Sequence, residues 1–180
     1  MAGKRKARLI LVLGGARSGK SRYAQQLAEQ QWPHPVYLAT AEVTDDEMAA
    51  RIAQHRAARG ARWQCSEEPL DLAGALNRAA AQGDGVLVEC LTVWLANVLV
   101  KEGARGVEAR QKVLLETLRQ RQDDVILVSN EVGLGIVPEY PLGRQFRDLA
   151  GWLNQAVAAE ADTVVFIAAG LPLMLKGEMV

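Results

Sequence analysis

Residues 14–21 read Gly14-Gly15-Ala16-Arg17-Ser18-Gly19-Lys20-Ser21, the spacing G-x-x-x-x-G-K-S. The apolar run Leu9-Ile10-Leu11-Val12-Leu13 precedes them, and Arg22-Tyr23-Ala24-Gln25-Gln26-Leu27-Ala28-Glu29 follows with helical spacing. A strand that turns through such a loop into a helix is the context a phosphate-binding P-loop requires. The glycines let backbone N–H groups come close to phosphate oxygens. The start of the helix adds unpaired donors at the positive end of its dipole. Residues Gly14 to Ser21 are therefore expected to hold a nucleoside triphosphate. Lys20 should reach its β- and γ-phosphates, and the Ser21 hydroxyl should ligate Mg²⁺.

The rest of the chain alternates in the same manner. Val36-Tyr37-Leu38-Ala39-Thr40, Val86-Leu87-Val88, Val125-Ile126-Leu127-Val128-Ser129 and Thr163-Val164-Val165-Phe166-Ile167-Ala168 read as buried strands. Gln64 to Pro69 reads as a short extended piece and turn, and Leu171 to Lys176 as an added edge strand. Between them the periodicity predicts helices over 71–81, 91–100, 106–121 and 142–159, the third exposed because it is charged on several sides. Thr44-Asp45-Asp46-Glu47 has the form of a capping box and opens a further helix through Arg56, ending near Gly60. Such alternation predicts a three-layer α/β sandwich around a largely parallel sheet, with ligands at the carboxyl ends of the strands. That edge gathers the P-loop, Thr40, Glu89 and the loop from Asn130 to Pro138.

The 180 residues are expected to form one domain, since no repeat, low-complexity segment or linker divides them. Lys4-Arg5-Lys6-Ala7-Arg8 reads as part of a solvated, mobile basic arm over residues 1–7. The 21 basic residues balance the 21 acidic ones, so charge gives no argument for a nucleic-acid partner. Cys65 and Cys90 fit neither a disulfide framework nor a zinc site. No apolar run approaches the ~20 residues of a membrane span. A signal peptide cleaved from the basic N-terminus would take part of the nucleotide site with it, so a cytoplasmic location is expected.

Two further features point to chemistry. Glu89 ends an apolar strand, where a carboxylate holds Mg²⁺ directly or through water. An acidic residue that merely closes a strand is the alternative. Arg51, His55 and Arg59 recur at i, i+4 and i+8 and share one face of the capped helix. Cations beside an imidazole disfavour its protonation, leaving a neutral, nucleophilic ring. The same pattern equally describes a solvated polar face. His34, between two prolines, reads as a loop residue without a chemical role. Asn130-Glu131-Val132-Gly133-Leu134-Gly135 follows a central strand with two permissive glycines, a position suited to substrate or nucleotide contact.

Taken together, these residues resemble the bifunctional adenosylcobinamide kinase/adenosylcobinamide-phosphate guanylyltransferase family of cobalamin biosynthesis. The resemblance rests on G-G-A-R-S-G-K-S-R at 14–22, Y-L-A-T at 37–40, D-D-E-M-A-A-R-I at 45–52 with His55 behind it, and Glu67. It continues through L-V-E-C-L-T at 87–92, N-E-V-G-L-G-I-V-P at 130–138 and F-R-D-L-A-G-W-L-N-Q at 146–155. It implies a RecA-like P-loop fold and two reactions. ATP or GTP phosphorylates the aminopropanol hydroxyl of adenosylcobinamide. GTP then guanylylates an enzyme histidine, and the GMP passes to adenosylcobinamide phosphate, giving adenosylcobinamide-GDP. That histidine maps onto His55, with Arg59 and Glu67 as nucleotide contacts, and Lys20, Ser21 and Glu89 in the roles given above. The resemblance also implies a homo-oligomer, specifically a trimer. A P-loop protein with kinase activity alone and a regulatory NTPase switch are the alternatives. No N-K-x-D guanine motif supports the switch.

Overall fold

The computed structural model describes residues 6–42 and 60–178. Its elements follow in the order β1 (Leu9–Gly14), α1 (Lys20–Gln31), β2 (Pro35–Ala39), β3 (Gln64–Glu67), α2 (Leu72–Ala80), β4 (Gly85–Glu89), α3 (Leu91–Gln120), β5 (Asp124–Asn130), α4 (Pro141–Glu160), β6 (Thr163–Ala168) and β7 (Leu171–Lys176). The capping box at Thr44 and the helix bearing Arg51, His55 and Arg59 lie outside the described residues.

All six residues of β1 are buried, which makes it a central strand rather than an edge. It pairs in parallel with β5, Leu9 opposite Val125 and Gly14 opposite Asn130, and on its other side with β6. The sheet runs β3-β2-β4-β5-β1-β6-β7, with every pairing parallel except the antiparallel β6–β7 hairpin. The expected edge strand at Leu171 to Lys176 is therefore present.

Alternation along the strands divides the apolar residues between two cores. Leu9, Leu11, Leu13, Val86, Val88, Val125 and Leu127 pack with the buried faces of α2, α3 and α4. Ile10, Val12, Leu87, Ile126 and Val128 pack with Ala24, Leu27, Ala28 and Trp32 around α1. These are the three layers of the expected α/β sandwich. Each fully buried aliphatic side chain contributes on the order of 2 kcal/mol from its removal from water. Trp94, 1% exposed, is the largest fully buried side chain among the described residues and satisfies its indole N–H on the Leu70 carbonyl at 2.9 Å.

One expectation changes in the helical layer. The two helices expected over 91–100 and 106–121 are both present within α3, parted at Gly103, whose φ of 70° and ψ of −175° are not helical. The second of them is not simply exposed, because Val107, Leu114 and Leu118 are buried in the larger core. Their spacing of seven and four residues places a narrow apolar stripe among the charges.

The amino ends of the strands are closed by acids. Asp124 accepts the Arg8 backbone N–H at 2.7 Å, and Asp162 accepts that of Leu9 at 2.9 Å. Asp162 also receives Lys6 Nζ at 3.0 Å and the guanidinium of Arg121. Burial opposes ionisation of Asp162, but the Leu9 N–H and the Lys6 and Arg121 cations outweigh it, so its carboxyl lies below its ordinary range. No helix among the described residues is long and apolar enough to cross a membrane.

Candidate nucleotide site

At the opposite, carboxyl edge of the sheet, β1 runs into the loop that closes at Lys20. Gly14 sits so near its neighbours that a Cβ there would lie 2.6 Å from both the Ile167 carbonyl oxygen and Ser18 Oγ. Gly19 has φ 97°, and a Cβ there would lie 3.2 Å from Gly170 Cα. Both positions therefore require glycine, one for close approach and one also for its backbone conformation. Gly19 is the N-cap of α1, whose first turn has no side-chain cap and no acidic residue. Its N–H groups and dipole are left to an anion.

The Lys20 side chain is 8% exposed for the residue as a whole and donates to the Gly15 carbonyl at 3.2 Å. An open cavity of about 530 Å³ lies along Arg17, Ser18, Gly19, Lys20, Ser21 and Arg22. Its remaining lining is the turn Ala169-Gly170. Three cations and no carboxylate line it, which suits a polyanion. Arg17 takes φ 55° and is exposed, and Ala16 beside it is exposed as well.

Next to the loop, Ser21 Oγ donates to Glu89 Oε1 at 2.7 Å. This contact follows from the pleat. Leu87 belongs to the core on the α1 side, so Glu89, two residues on, shares that face and meets the first turn of α1. The strand end is held by Thr40, whose Oγ accepts the Cys90 N–H at 2.9 Å and donates to the Cys90 carbonyl at 2.8 Å. The Thr40 N–H donates to the Glu89 carbonyl at 3.0 Å. Asn97 Nδ2 donates to the Thr40 carbonyl at 2.8 Å. Burial, reinforced by the charge on Glu89, pushes the Cys90 thiol up, which keeps it protonated and a poor nucleophile.

The fold thus brings Gly14 to Ser21 together with Glu89. Glu67 lies at the same edge of the sheet but at the end of β3, with β2, β4 and β5 between it and β1. His55 and Arg59 lie outside the described residues. His34 precedes β2 at the other edge, where its N–H donates to the Asp84 carboxylate at 2.8 Å. Ala169-Gly170 is a cavity wall that sequence reasoning missed. Its two positive φ angles, 52° and 80°, make it the two-residue turn of a tight hairpin. Its signal was a small pair, Ala-Gly, between two apolar runs.

Comparison with known proteins agrees with this geometry. The chain matches the family model described as cobinamide kinase/cobinamide phosphate guanyltransferase over residues 10–175. It is 49% identical to the bifunctional adenosylcobalamin biosynthesis protein CobP of Pseudomonas aeruginosa, over 93% of this chain and 97% of that one. It is 39% identical to the bifunctional adenosylcobalamin biosynthesis protein CobU of Salmonella typhimurium, over 93% of this chain and 99% of that one. Among solved structures it resembles a prototypical ATPase from the type III secretion system of pathogenic bacteria, with TM-score 0.56 and 12% identity over 93% of this chain and 56% of that one. At that identity the likeness speaks to the P-loop NTPase fold alone. With the family model spanning nearly the whole chain and the relatives aligned end to end, this protein belongs to the cobinamide kinase/cobinamide phosphate guanyltransferase family.

Proposed function

We propose that this protein phosphorylates adenosylcobinamide with ATP or GTP, and then transfers GMP from GTP to adenosylcobinamide phosphate by way of a GMP–histidine intermediate on His55. The observation that carries the reading is the joining of Ser21 to Glu89 at 2.7 Å beside a cation-lined phosphate loop. In this reading Gly14 to Gly19 cradle the phosphates through backbone N–H groups, and Lys20 spreads the charge that builds on the transferred phosphoryl group. A hydroxyl and a carboxylate are hard oxygen donors, which fits Mg²⁺ held by one or two protein groups with the substrate phosphates. Bound there, Mg²⁺ supplies charge neutralisation on the β- and γ-oxygens. His55, flanked by Arg51 and Arg59 in the helical pattern, serves as the neutral nucleophile, with Arg59 and Glu67 as further nucleotide contacts.

One domain carries both reactions in this reading and acts in the cytoplasm. Self-assembly is supported by the outer edge strand, where Leu171, Leu173 and Leu175 are all more than half exposed, and a trimer is the form that the family resemblance implies.

Incubation with GTP and adenosylcobinamide, with products resolved by mass spectrometry, tests the reading. Adenosylcobinamide-GDP is the expected product, whereas a reaction that stops at the phosphate leaves a kinase alone. α-Labelled GTP should leave one acid-labile, base-stable label per chain, and γ-labelled GTP none. His55→Ala should abolish that label and His34→Ala should keep it. A labelled His55→Ala chain would overturn the nucleophile assignment.

A further inference from the structure

β5 ends at Asn130, whose backbone is pinned on every side. Its N–H donates to Thr92 Oγ at 2.7 Å, and its carbonyl accepts Asn154 Nδ2 at 3.1 Å. Ser129 Oγ donates to Asn154 Oδ1 at 2.7 Å, which leaves Thr92 Oγ as the donor across its 3.2 Å contact with Ser129. The four residues form a closed ring, in which each hydroxyl donates once and accepts at least once. The next residue, Glu131, donates its N–H to the Gly14 carbonyl at 3.0 Å, tying this strand end to the start of the phosphate loop.

All of that fixes the main chain and leaves the carboxamide oxygen of Asn130, Oδ1, buried and without a hydrogen-bond partner among the described residues. Strand alternation says where it points. Ser129 faces α3 and α4, while Ile126 and Val128 lie in the core on the α1 side, so Asn130 shares their face. Glu89, at the end of the neighbouring strand, faces the same way and meets Ser21 there. β5 lies between β4, which carries Glu89, and β1, which carries the phosphate loop. The carboxamide thus lies on the sheet face that carries the Ser21–Glu89 pair, between that pair and the strand that leads into the phosphate loop.

A buried acceptor in such a place calls for a donor. The oxygens of a bound triphosphate are acceptors and cannot supply one. Lys20 is directed to Gly15 within the loop. The reaction itself brings an O–H, the hydroxyl that attacks the γ-phosphorus. We propose that Asn130 orients this hydroxyl, its Oδ1 accepting the hydrogen bond so that an oxygen lone pair faces the γ-phosphorus. The proposal rests on the phosphoryl transfer of the preceding section. As the hydroxyl oxygen bonds to the γ-phosphorus, the bond from that phosphorus to the bridging oxygen breaks, and its electron pair leaves with the nucleoside diphosphate. The carboxamide is too weak a base to keep the proton, which passes to solvent as the phosphate ester forms. Its contribution is alignment.

Asn130→Leu keeps the shape of the side chain and removes the acceptor. Steady-state phosphorylation of adenosylcobinamide by the full-length variant should show kcat lowered about a hundredfold. KM for both substrates and the calorimetric Kd for nucleotide should stay within about twofold, the pattern of an interaction made in the transition state. The melting temperature should not fall, because an unpartnered buried polar atom has been removed. Asn130→Ala, which also lacks the acceptor, should behave in the same way and stands in should the leucine variant fail to fold. Either variant retaining wild-type kcat overturns the proposal. So does a loss of kcat that tracks a loss of nucleotide affinity or melting temperature, which would make Asn130 structural. Rescue by excess Mg²⁺ would assign the carboxamide to a metal-bound water and overturn it too. Wild-type enzyme that fails to phosphorylate adenosylcobinamide would instead remove the preceding reading.

Discussion

Gly170 donates its backbone N–H to the Ser18 carbonyl at 2.8 Å, so the β6–β7 turn and the phosphate loop hold one another in shape. The two backbones meet again at Gly19, where an added Cβ would lie 3.2 Å from Gly170 Cα. Gly19→Ala introduces both that contact and a side chain at φ 97°. It should weaken nucleotide binding about tenfold or more while leaving the sheet intact, since the strain of roughly 1–3 kcal/mol falls on the loop. Titration with a fluorescent nucleotide, beside a far-ultraviolet dichroism spectrum, checks both halves. Unchanged affinity would show that the loop relaxes without cost.

Lys20→Ala removes the buried ammonium from the loop. If a single phosphate loop serves both reactions, phosphoryl and guanylyl transfer should fall together, by about a hundredfold or more. The melting temperature should stay within a few degrees, because the Lys20–Gly15 hydrogen bond is worth about 1 kcal/mol. Guanylyl transfer at the wild-type rate would place that step at another nucleotide site.

Glu89→Gln retains a carbonyl oxygen that can accept from Ser21 but removes the negative charge. The Mg²⁺ concentration for half-maximal activity should rise about tenfold in both reactions, since Mg²⁺ prefers an anionic oxygen. An unaltered magnesium curve would return Glu89 to a structural role.

Asp162 predicts an acid limb to stability. Its folded-state carboxyl is held below the ordinary range despite burial, by the Leu9 N–H and by Lys6 and Arg121. The folded state therefore binds its proton less readily than the unfolded chain. The resulting stabilisation is complete above the unfolded value of about 3.9 and is lost as pH falls through the lower folded value. Asp162→Asn should lower stability at neutral pH by on the order of 1 kcal/mol, allowing for partial exposure, and the two proteins should converge in acid. Denaturant titrations from pH 7 down to pH 3 would show it. Parallel curves with a constant offset would mean that Asp162 acts through shape alone.

What the sequence made legible was local. The strands β1, β2, β4, β5 and β6 are continuous apolar runs because parallel strands bury both faces, and the phosphate loop has a fixed spacing between two such signals. The position of Glu89 beside Ser21 followed from the rule that ligands gather at the carboxyl edge. The stripe of Val107, Leu114 and Leu118 was hidden because charged neighbours outnumber it. Gly103 falls between the two helical patterns, and its positive φ parts the helices there. The Thr92–Ser129–Asn130–Asn154 ring joins residues from three elements far apart in the chain, and small polar residues at helix and strand ends give no local sign of meeting. The Ala169-Gly170 turn was unremarked for a similar reason. Its role depends on a contact with residues made some 150 positions earlier.

That last contact bears on how the protein is made. The ribosome delivers the phosphate loop some 150 residues before the turn that walls its cavity. Strand β1 must likewise wait for β5 and then β6 before either of its flanks is covered. A nascent chain thus carries its nucleotide-binding motif through that interval without a finished pocket. Stabilisation by bound nucleotide waits until Gly170 has emerged, and a molecule truncated before it forfeits that stabilisation.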